Sequence, residues 1–461
     1  MLSFVSVARA QAPLLSAQEA SEILDVLAAA PEHGIAIELP PRPAPRESPS
    51  AEVSRALNAA AVGYAARQGG RGLNWDGAPA EWDMRPAPRD WAEEFERARQ
   101  SASVRDWLQG LAPRHFQYEA LLAARARYAA IVEDGGWSAL EEGPALREGD
   151  AGPRVAALRT RLVIEGFLSP EADDPESFDA LLADAVRRAQ RMHGLAEDGI
   201  AGAGTRAALA SSAGDILARI DLNLERERWL PRPLPDTRIE VNIAAAELRV
   251  YRAGVQGLSM RAIVGAPRRR TPIFMATVEA VTLNPPWRVP ASIAATEIMP
   301  RARRDPTYLA RNGYAEIDGA LIQAPGPQNA LGEVKLELPN PHAVFVHDTP
   351  NRNLFSRDIR TLSHGCIRAG DARALAEVLL ASQGVPRTAL DASIAAGVTR
   401  RIDLVTPVPI FMLYRTAWVD ETGALRLSRD VYGWDDVLAA LMEGTRPQTP
   451  PAFAQIRECA G

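Results

Sequence analysis

Cys366 lies in the run Ser363-His364-Gly365-Cys366-Ile367-Arg368, nineteen residues beyond His347 (366 − 347), and His347 closes the apolar stretch Ala343-Val344-Phe345-Val346. A thiol becomes a useful nucleophile when a neighbouring group generates or stabilises its thiolate, and the imidazole of His347 is the candidate for that group. The chemistry these residue types support is acyl transfer: Cys366 attacks a carbonyl, His347 takes and later returns the proton, and backbone donors hold the tetrahedral oxygen.

The flanking residues indicate how the pair is positioned. Ala343 to Val346 is short, apolar and valine-rich, and is expected to form a buried strand that delivers His347 at its end. Asp348-Thr349-Pro350-Asn351-Arg352-Asn353 begins a polar loop, and Gly365 permits a tight bend before the cysteine. Asp371 is the expected N-cap of a helix from Ala372 to Ala381. Such a turn can aim the N–H groups of Gly365 and Cys366 at a developing oxyanion, and one such donor is typically worth about 3 kcal/mol of barrier.

Other uses of these residues compete. A lone buried cysteine is more often inert packing, but Cys366 stands among His, Gly and Arg rather than in an apolar run. The chain has two cysteines, so a Cys366–Cys459 bridge is a second reading, weakened because Cys459 is third from the C-terminus. His342, His347, His364 and Cys366 are all zinc-ligand types, yet no CxxC, HxxxH or HExxH spacing accompanies them, and neither a metal nor another cofactor is expected.

A histidine at a strand end, a spacer of fifteen residues (348 to 362) and then Ser-His-Gly-Cys resembles the L,D-transpeptidase family with its YkuD-type catalytic domain. The resemblance implies that Cys366 is the acylated nucleophile, His347 its base and Asp348 a neighbour that helps orient the imidazole. It further implies that Ser363, His364 and Gly365 shape the site and its oxyanion hole, while Arg368 falls where family members commonly carry arginine.

At 461 residues the chain exceeds a single ordinary core, and 47% hydrophobic with 24% charged residues is a globular composition. Two to four domains are expected. A net charge of −6 gives no electrostatic case for nucleic acid, and Arg268-Arg269-Arg270, the densest basic run, reads as a solvated loop. The first twelve residues hold a brief apolar stretch and an Ala10-Gln11-Ala12 site, which resemble the rear half of a secretory signal without its positive n-region. The expectation is a truncated signal and a periplasmic enzyme. No other stretch approaches the roughly 20 continuous apolar residues of a membrane span.

The remaining chain sorts into units. Residues 16–145 read as a helical scaffold whose tryptophans, Trp75, Trp82, Trp91 and Trp107, are packing rather than a ligand box. Residues 146–212, with amphipathic helices at Arg154 to Gly166 and Phe178 to Met192, resemble the small three-helix peptidoglycan-binding module. Its markers include Gly149-Asp150-Ala151-Gly152, Gln190, Asp198-Gly199 and Thr205, the last a candidate cap for a helix to Leu209. A linker helix occupies 213–236, the catalytic domain 237–420, and a closing strand, helix and tail 421–461. Asn284-Pro285-Pro286-Trp287-Arg288-Val289-Pro290 resembles the longer L,D-transpeptidases of the YcbB type, which implies that a capping insertion at about 291–328 covers the site. The expected fold class is α+β and multidomain, with a mostly β catalytic domain.

That resemblance implies a peptidoglycan L,D-transpeptidase. Cys366 would take the acyl group from a tetrapeptide stem, releasing its terminal D-Ala, and a diaminopimelate amine of a second stem would resolve the thioester into a 3→3 cross-link. Water as acceptor would make an L,D-carboxypeptidase, and a lipoprotein lysine an anchoring enzyme. Carbapenem-type β-lactams are expected to acylate Cys366. A non-catalytic peptidoglycan-binding scaffold is the alternative of a different class.

Overall fold

Strand-forming β-branched residues and tight turns dominate the chain from Arg238 onward, and they build a closed sheet. In chain order the strands are β1 Arg238–Asn242, β2 Glu247–Arg252, β3 Val255–Gly265, β4 Phe274–Leu283, β5 Trp287–Arg288, β6 Tyr314–Ile317 and β7 Ala320–Gln323. They continue with β8 Val334–Glu337, β9 Val346–His347, β10 Thr361–Ser363, β11 Ile367–Ala369, β12 Arg400–Leu413, β13 Ala417–Val419 and β14 Leu425–Leu427. The computed structural model describes residues 14–44, 47–101, 103–171, 174–445 and 447; residues 1–13 of the expected signal segment and Cys459 lie outside the described residues.

The large sheet runs β10-β3-β11-β9-β8-β4-β12-β1-β2, and β2 pairs again with β3. Eight strands therefore close on themselves, which removes the open edges that would otherwise seek a partner. The β2–β3 hairpin turns on Ala253 and Gly254, both at positive φ (48° and 78°), the left-handed pair that a two-residue turn matched to strand twist requires. Val241, Leu248, Val264, Val281, Ile410 and Met412 fill the interior. The helix Ala372–Ala381 seals it with Ala372, Leu375, Ala376, Leu379 and Leu380, a stripe of helical period. Asp371 caps that helix as expected, its Oδ1 accepting the Ala374 N–H at 2.9 Å.

Two expected elements differ. The stretch Ala343 to Phe345 is not strand: Asn340 Oδ1 accepts the N–H groups of His342 (3.1 Å) and Val344 (3.2 Å), and Ala343 sits at φ 52°. A side-chain acceptor has captured the amides a ladder would need, so only Val346 and His347 pair. In the small helical unit, Pro153–Ile164 and Ala180–Met192 are helices with a third at Ala203–Leu209, but Thr205 lies inside the third rather than capping it. Its Oγ1 accepts from Gln190 Nε2 at 3.0 Å and donates to the Ile200 carbonyl, which ties the third helix to the second.

The N-terminal helices Ala17–Ala28, Ala51–Gln68, Trp91–Ser101 and Val104–Gln109 share a core of their own around Ile23, Leu27, Leu57, Tyr64, Phe95 and Leu108. Trp75 and Trp82 do not belong to it. They pack with Trp229 and Trp434 in the core of the sheet domain, and Trp82 bridges Ile273, because burying aromatic surface there outweighs sequence proximity to the helices.

The helix Ala213–Glu227 is the keel of the molecule. Ile216, Ile220 and Leu224 pack against Tyr118, Leu121 and Tyr128 on one side and against Ala417, Val419 and Leu425 of the β13–β14 hairpin on the other. At its end Glu227 holds the buried Arg415 at 2.5 Å, and Arg415 also reaches Glu240 of β1 at 2.6 Å. A buried guanidinium is tolerated only with such carboxylates around it, so the arrangement fixes helix, β1 and β12–β13 junction in one geometry. Arg270, expected on a solvated loop, is mostly covered: it lies near Glu81 (3.8 Å) and over the rings of Tyr432 and Trp434.

Candidate active site

β9 and β11 run parallel, with Val346 opposite Ile367 and His347 opposite Arg368. The Ile367 N–H donates to the Phe345 carbonyl at 2.9 Å. This ladder places Cys366, one residue before β11, at the same end of the sheet as His347, and both line one cavity of about 310 Å³. The thiol is largely covered, with Cys366 only 6% exposed, and its Sγ lies 4.0 Å from the Ala343 carbonyl oxygen.

The turn before the cysteine is held from both sides. Ser363 Oγ accepts the Gly365 N–H at 3.1 Å and donates to the Cys366 carbonyl at 2.6 Å, closing Ser363 to Cys366 into a compact bend. Gly365 sits at φ 116°, a conformation that side chains rarely adopt. Its carbonyl accepts from Thr271 Oγ1 at 2.7 Å, Thr271 Oγ1 accepts the Gly265 N–H at 2.9 Å, and Tyr432 donates its hydroxyl to the Gly265 carbonyl at 2.6 Å. One expectation changes here: the Gly365 N–H is committed to Ser363 and is not an oxyanion donor. Gly365 instead serves by the backbone angle it permits.

His347 is fully enclosed. Its Nδ1 lies 2.5 Å from the backbone carbonyl oxygen of Asp348. A carbonyl only accepts, so Nδ1 carries the proton and the neutral ring keeps its lone pair on Nε2, the form a general base needs. Burial, with the nearby Arg368 charge as second cause, pushes His347 down to about 3. The imidazole is oriented by the main chain of Asp348, not by its carboxylate. That carboxylate accepts the Glu333 N–H at 3.0 Å and Arg352 Nη2 at 2.7 Å, and burial raises its pKa. Gly332 makes room for it, since a Cβ there would stand 2.4 Å from Asp348 Oδ2.

His364 does not join the pair. Its Nε2 is 2.6 Å from Glu297 Oε1, and Arg269 Nη1 reaches the same oxygen at 3.3 Å. His342 is turned elsewhere, with Nε2 2.9 Å from Asp83 and its ring against Phe274. The four zinc-type residues thus point to separate partners, and among the described residues no group of three or more His, Cys, Asp or Glu is placed to hold a metal ion.

Glu297 belongs to a small subdomain that roofs the cavity, and sequence reasoning missed it because 67 residues separate it from His364. Its three-stranded sheet, β5-β7-β6, and the helical run Ala291–Arg304 pack around Val289, Ile293 and Ile298. Residues Ala294–Ile298 form a π-turn, a rare geometry that recurs at functional sites, and it carries Glu297 toward the motif. Trp287, Arg301, Tyr308 and Tyr314 of the same subdomain also line the cavity.

Residues 236–410 match the YkuD L,D-transpeptidase catalytic domain, residues 151–209 the “Putative peptidoglycan binding domain” and residues 8–124 a scaffold domain. A curated protein of Haemophilus influenzae (strain ATCC 51907 / DSM 11121 / KW20 / Rd), described as a “Putative L,D-transpeptidase”, is 32% identical over 246 residues, covering 49% of this chain and 50% of that protein. The chain thus spans half the length of that relative. The L,D-transpeptidase of Xylanimonas cellulosilytica DSM 15894 (residues 123–326) aligns at 18% identity and TM-score 0.22, over 59% of this chain and 98% of that one. The L,D-transpeptidase of Stackebrandtia nassauensis aligns at 11% identity and TM-score 0.24, over 59% of this chain and 95% of that one. The chain thus carries a YkuD-type L,D-transpeptidase catalytic domain at 236–410 together with a peptidoglycan-binding domain at 151–209.

Proposed function

We propose that this chain is a peptidoglycan L,D-transpeptidase that forms 3→3 cross-links through a cysteinyl thioester. The observation that carries the reading is the convergence of Cys366 and a neutral, Nδ1-protonated His347 on one roofed cavity. His347 Nε2 takes the thiol proton as Cys366 Sγ attacks the carbonyl of the third stem residue. The C–N bond to the terminal D-Ala then breaks, and the imidazolium returns the proton to the departing amine. The side-chain amine of a diaminopimelate on a second stem attacks the thioester, the thiol is restored, and an amide remains. A largely covered thiol beneath a capping subdomain favours an amine held in the cavity over free water as acceptor. The module at 151–209 keeps the enzyme on its polymer, and the site of action is outside the cytoplasm, in the periplasm.

Mass spectrometry of tetrapeptide muropeptides incubated with wild type and Cys366→Ala tests this. Cross-linked dimers with wild type alone are expected. Tripeptide without dimers would make the enzyme an L,D-carboxypeptidase, and no change with either protein would leave a binding scaffold. A carbapenem should add its mass to wild type and not to Cys366→Ala.

A further inference from the structure

Arg368 brings into the cavity a charge that the acyl transfer does not use. It lies on β11 opposite His347 and lines the cavity with His347 and Cys366. Its Nε is buried with no hydrogen-bond partner, and among the described residues its guanidinium makes no ion pair. Arg368 is half-buried, whereas the fully buried Arg161, Arg226, Arg228 and Arg415 each face a carboxylate within 2.9 Å. Of the two groups that act on Arg368 electrostatically, Cys366 loses any negative charge once its sulfur is acylated, and Glu297 is already engaged by His364 and Arg269. A buried guanidinium Nε without a hydrogen-bond acceptor is costly, and the planar fork of arginine matches a carboxylate in two parallel hydrogen bonds.

We propose that Arg368 is the donor-specificity residue of this site, binding a carboxylate of the stem peptide whose acyl group passes to Cys366. The inference rests on the acyl-transfer reading above. The donor offers two carboxylates close to the reacting carbonyl, that of the departing fourth residue and that on the side chain of the third. Either would neutralise Arg368 when bound. Arg368 and, more weakly, Lys335 are the charges that oppose protonation of His347, so an occupied Arg368 would leave the imidazole a stronger base when donor is present.

The experiment measures release of the fourth residue from three donors: the native tetrapeptide, its C-terminal carboxamide, and the analogue amidated on the third side chain. Wild type, Arg368→Lys and Arg368→Gln are compared. Wild type is expected to lose about ten- to a hundredfold in kcat/KM with one amidated donor and little with the other, which identifies the carboxylate. Arg368→Gln should lose a similar factor on the native donor and no longer distinguish it from the amide, with part of the loss restored in Arg368→Lys. Equal wild-type rates on all three donors, or unchanged discrimination in Arg368→Gln, would overturn the proposal. If Arg368→Gln does not fold, as judged by melting and by iodoacetamide labelling of Cys366, the wild-type donor series and Arg368→Lys decide. No release by wild type from any donor would instead overturn the acyl-transfer reading itself.

Discussion

Glu297 Oε1 stands 2.6 Å from His364 Nε2, so a carboxylate of the capping subdomain grips the histidine that precedes Gly365 and Cys366. Arg269, from the loop after β3, completes the contact at 3.3 Å. Roof, motif turn and sheet are joined at one oxygen.

Breaking that joint should loosen the roof. Glu297→Ala is expected to lower kcat/KM about tenfold, the equivalent of one charge-assisted hydrogen bond, mainly through KM. It should also speed tryptic cleavage within Arg301–Arg304, on the helix that follows the π-turn. Unchanged cleavage would show that the subdomain stays closed without Glu297.

Ser363 bridges the Gly365 N–H and the Cys366 carbonyl, so Ser363→Ala leaves two buried backbone groups without their partner. A loss of about 1–3 kcal/mol in unfolding free energy is expected, together with a fall in kcat, while Ser363→Thr keeps the hydroxyl and most of both. Chemical denaturation and turnover measured side by side check this.

Cys366→Ser changes little volume in a covered position and should leave the melting temperature within a few degrees of wild type while lowering turnover at least about a thousandfold. His347→Ala should lose nearly as much activity, and the double variant little more, because nucleophile and base act as a unit. Additive losses would argue for independent roles.

Histidines make the fold acid-sensitive. Burial pushes His193 down to about 4 and His347 down to about 3, against an ordinary value of 6.5. Below pH 6.5 the unfolded chain binds protons that the folded one refuses, so their contribution is whole above pH 6.5 and is lost as pH falls toward those values. Each costs about 1.4 kcal/mol per pH unit in that window. His193→Leu, which also removes a buried Nε2 without a hydrogen-bond partner, should reduce the slope of unfolding free energy between pH 6.5 and 4 by about that amount.

Arg415→Leu should be more damaging than any of these to stability. It strands Glu227 and Glu240 as buried carboxylates, at a cost of about 3–5 kcal/mol. Urea denaturation that shows a change under about 1 kcal/mol would mean the two carboxylates find protons or water instead.

Much of the site could be read in one dimension because its chemistry is local. Ser363 to Arg368 occupy six consecutive positions, Asp371 caps the next helix through a contact three residues away, and the helices at Pro153–Ile164 and Ala180–Met192 announce themselves by apolar period. The misreadings arise where a side chain competes with the ladder, as Asn340 does before Val344, or where a backbone group is already spoken for, as the Gly365 N–H is. Residue types alone do not reveal which donor a hydroxyl has taken.

The sequence by itself determined which thiol is the candidate nucleophile, which histidine could serve it and the kinds of element that carry them, since these follow from residue type, spacing and periodicity. Only the tertiary structure decided that Glu297 meets His364, that the Asp348 main chain rather than its carboxylate orients His347, and that Trp82 lies in the core of the sheet domain. Those contacts join residues far apart in the chain or turn on side-chain direction, and they arise from closing the sheet, burying aromatic surface and pairing each buried polar group, which a linear pattern does not encode.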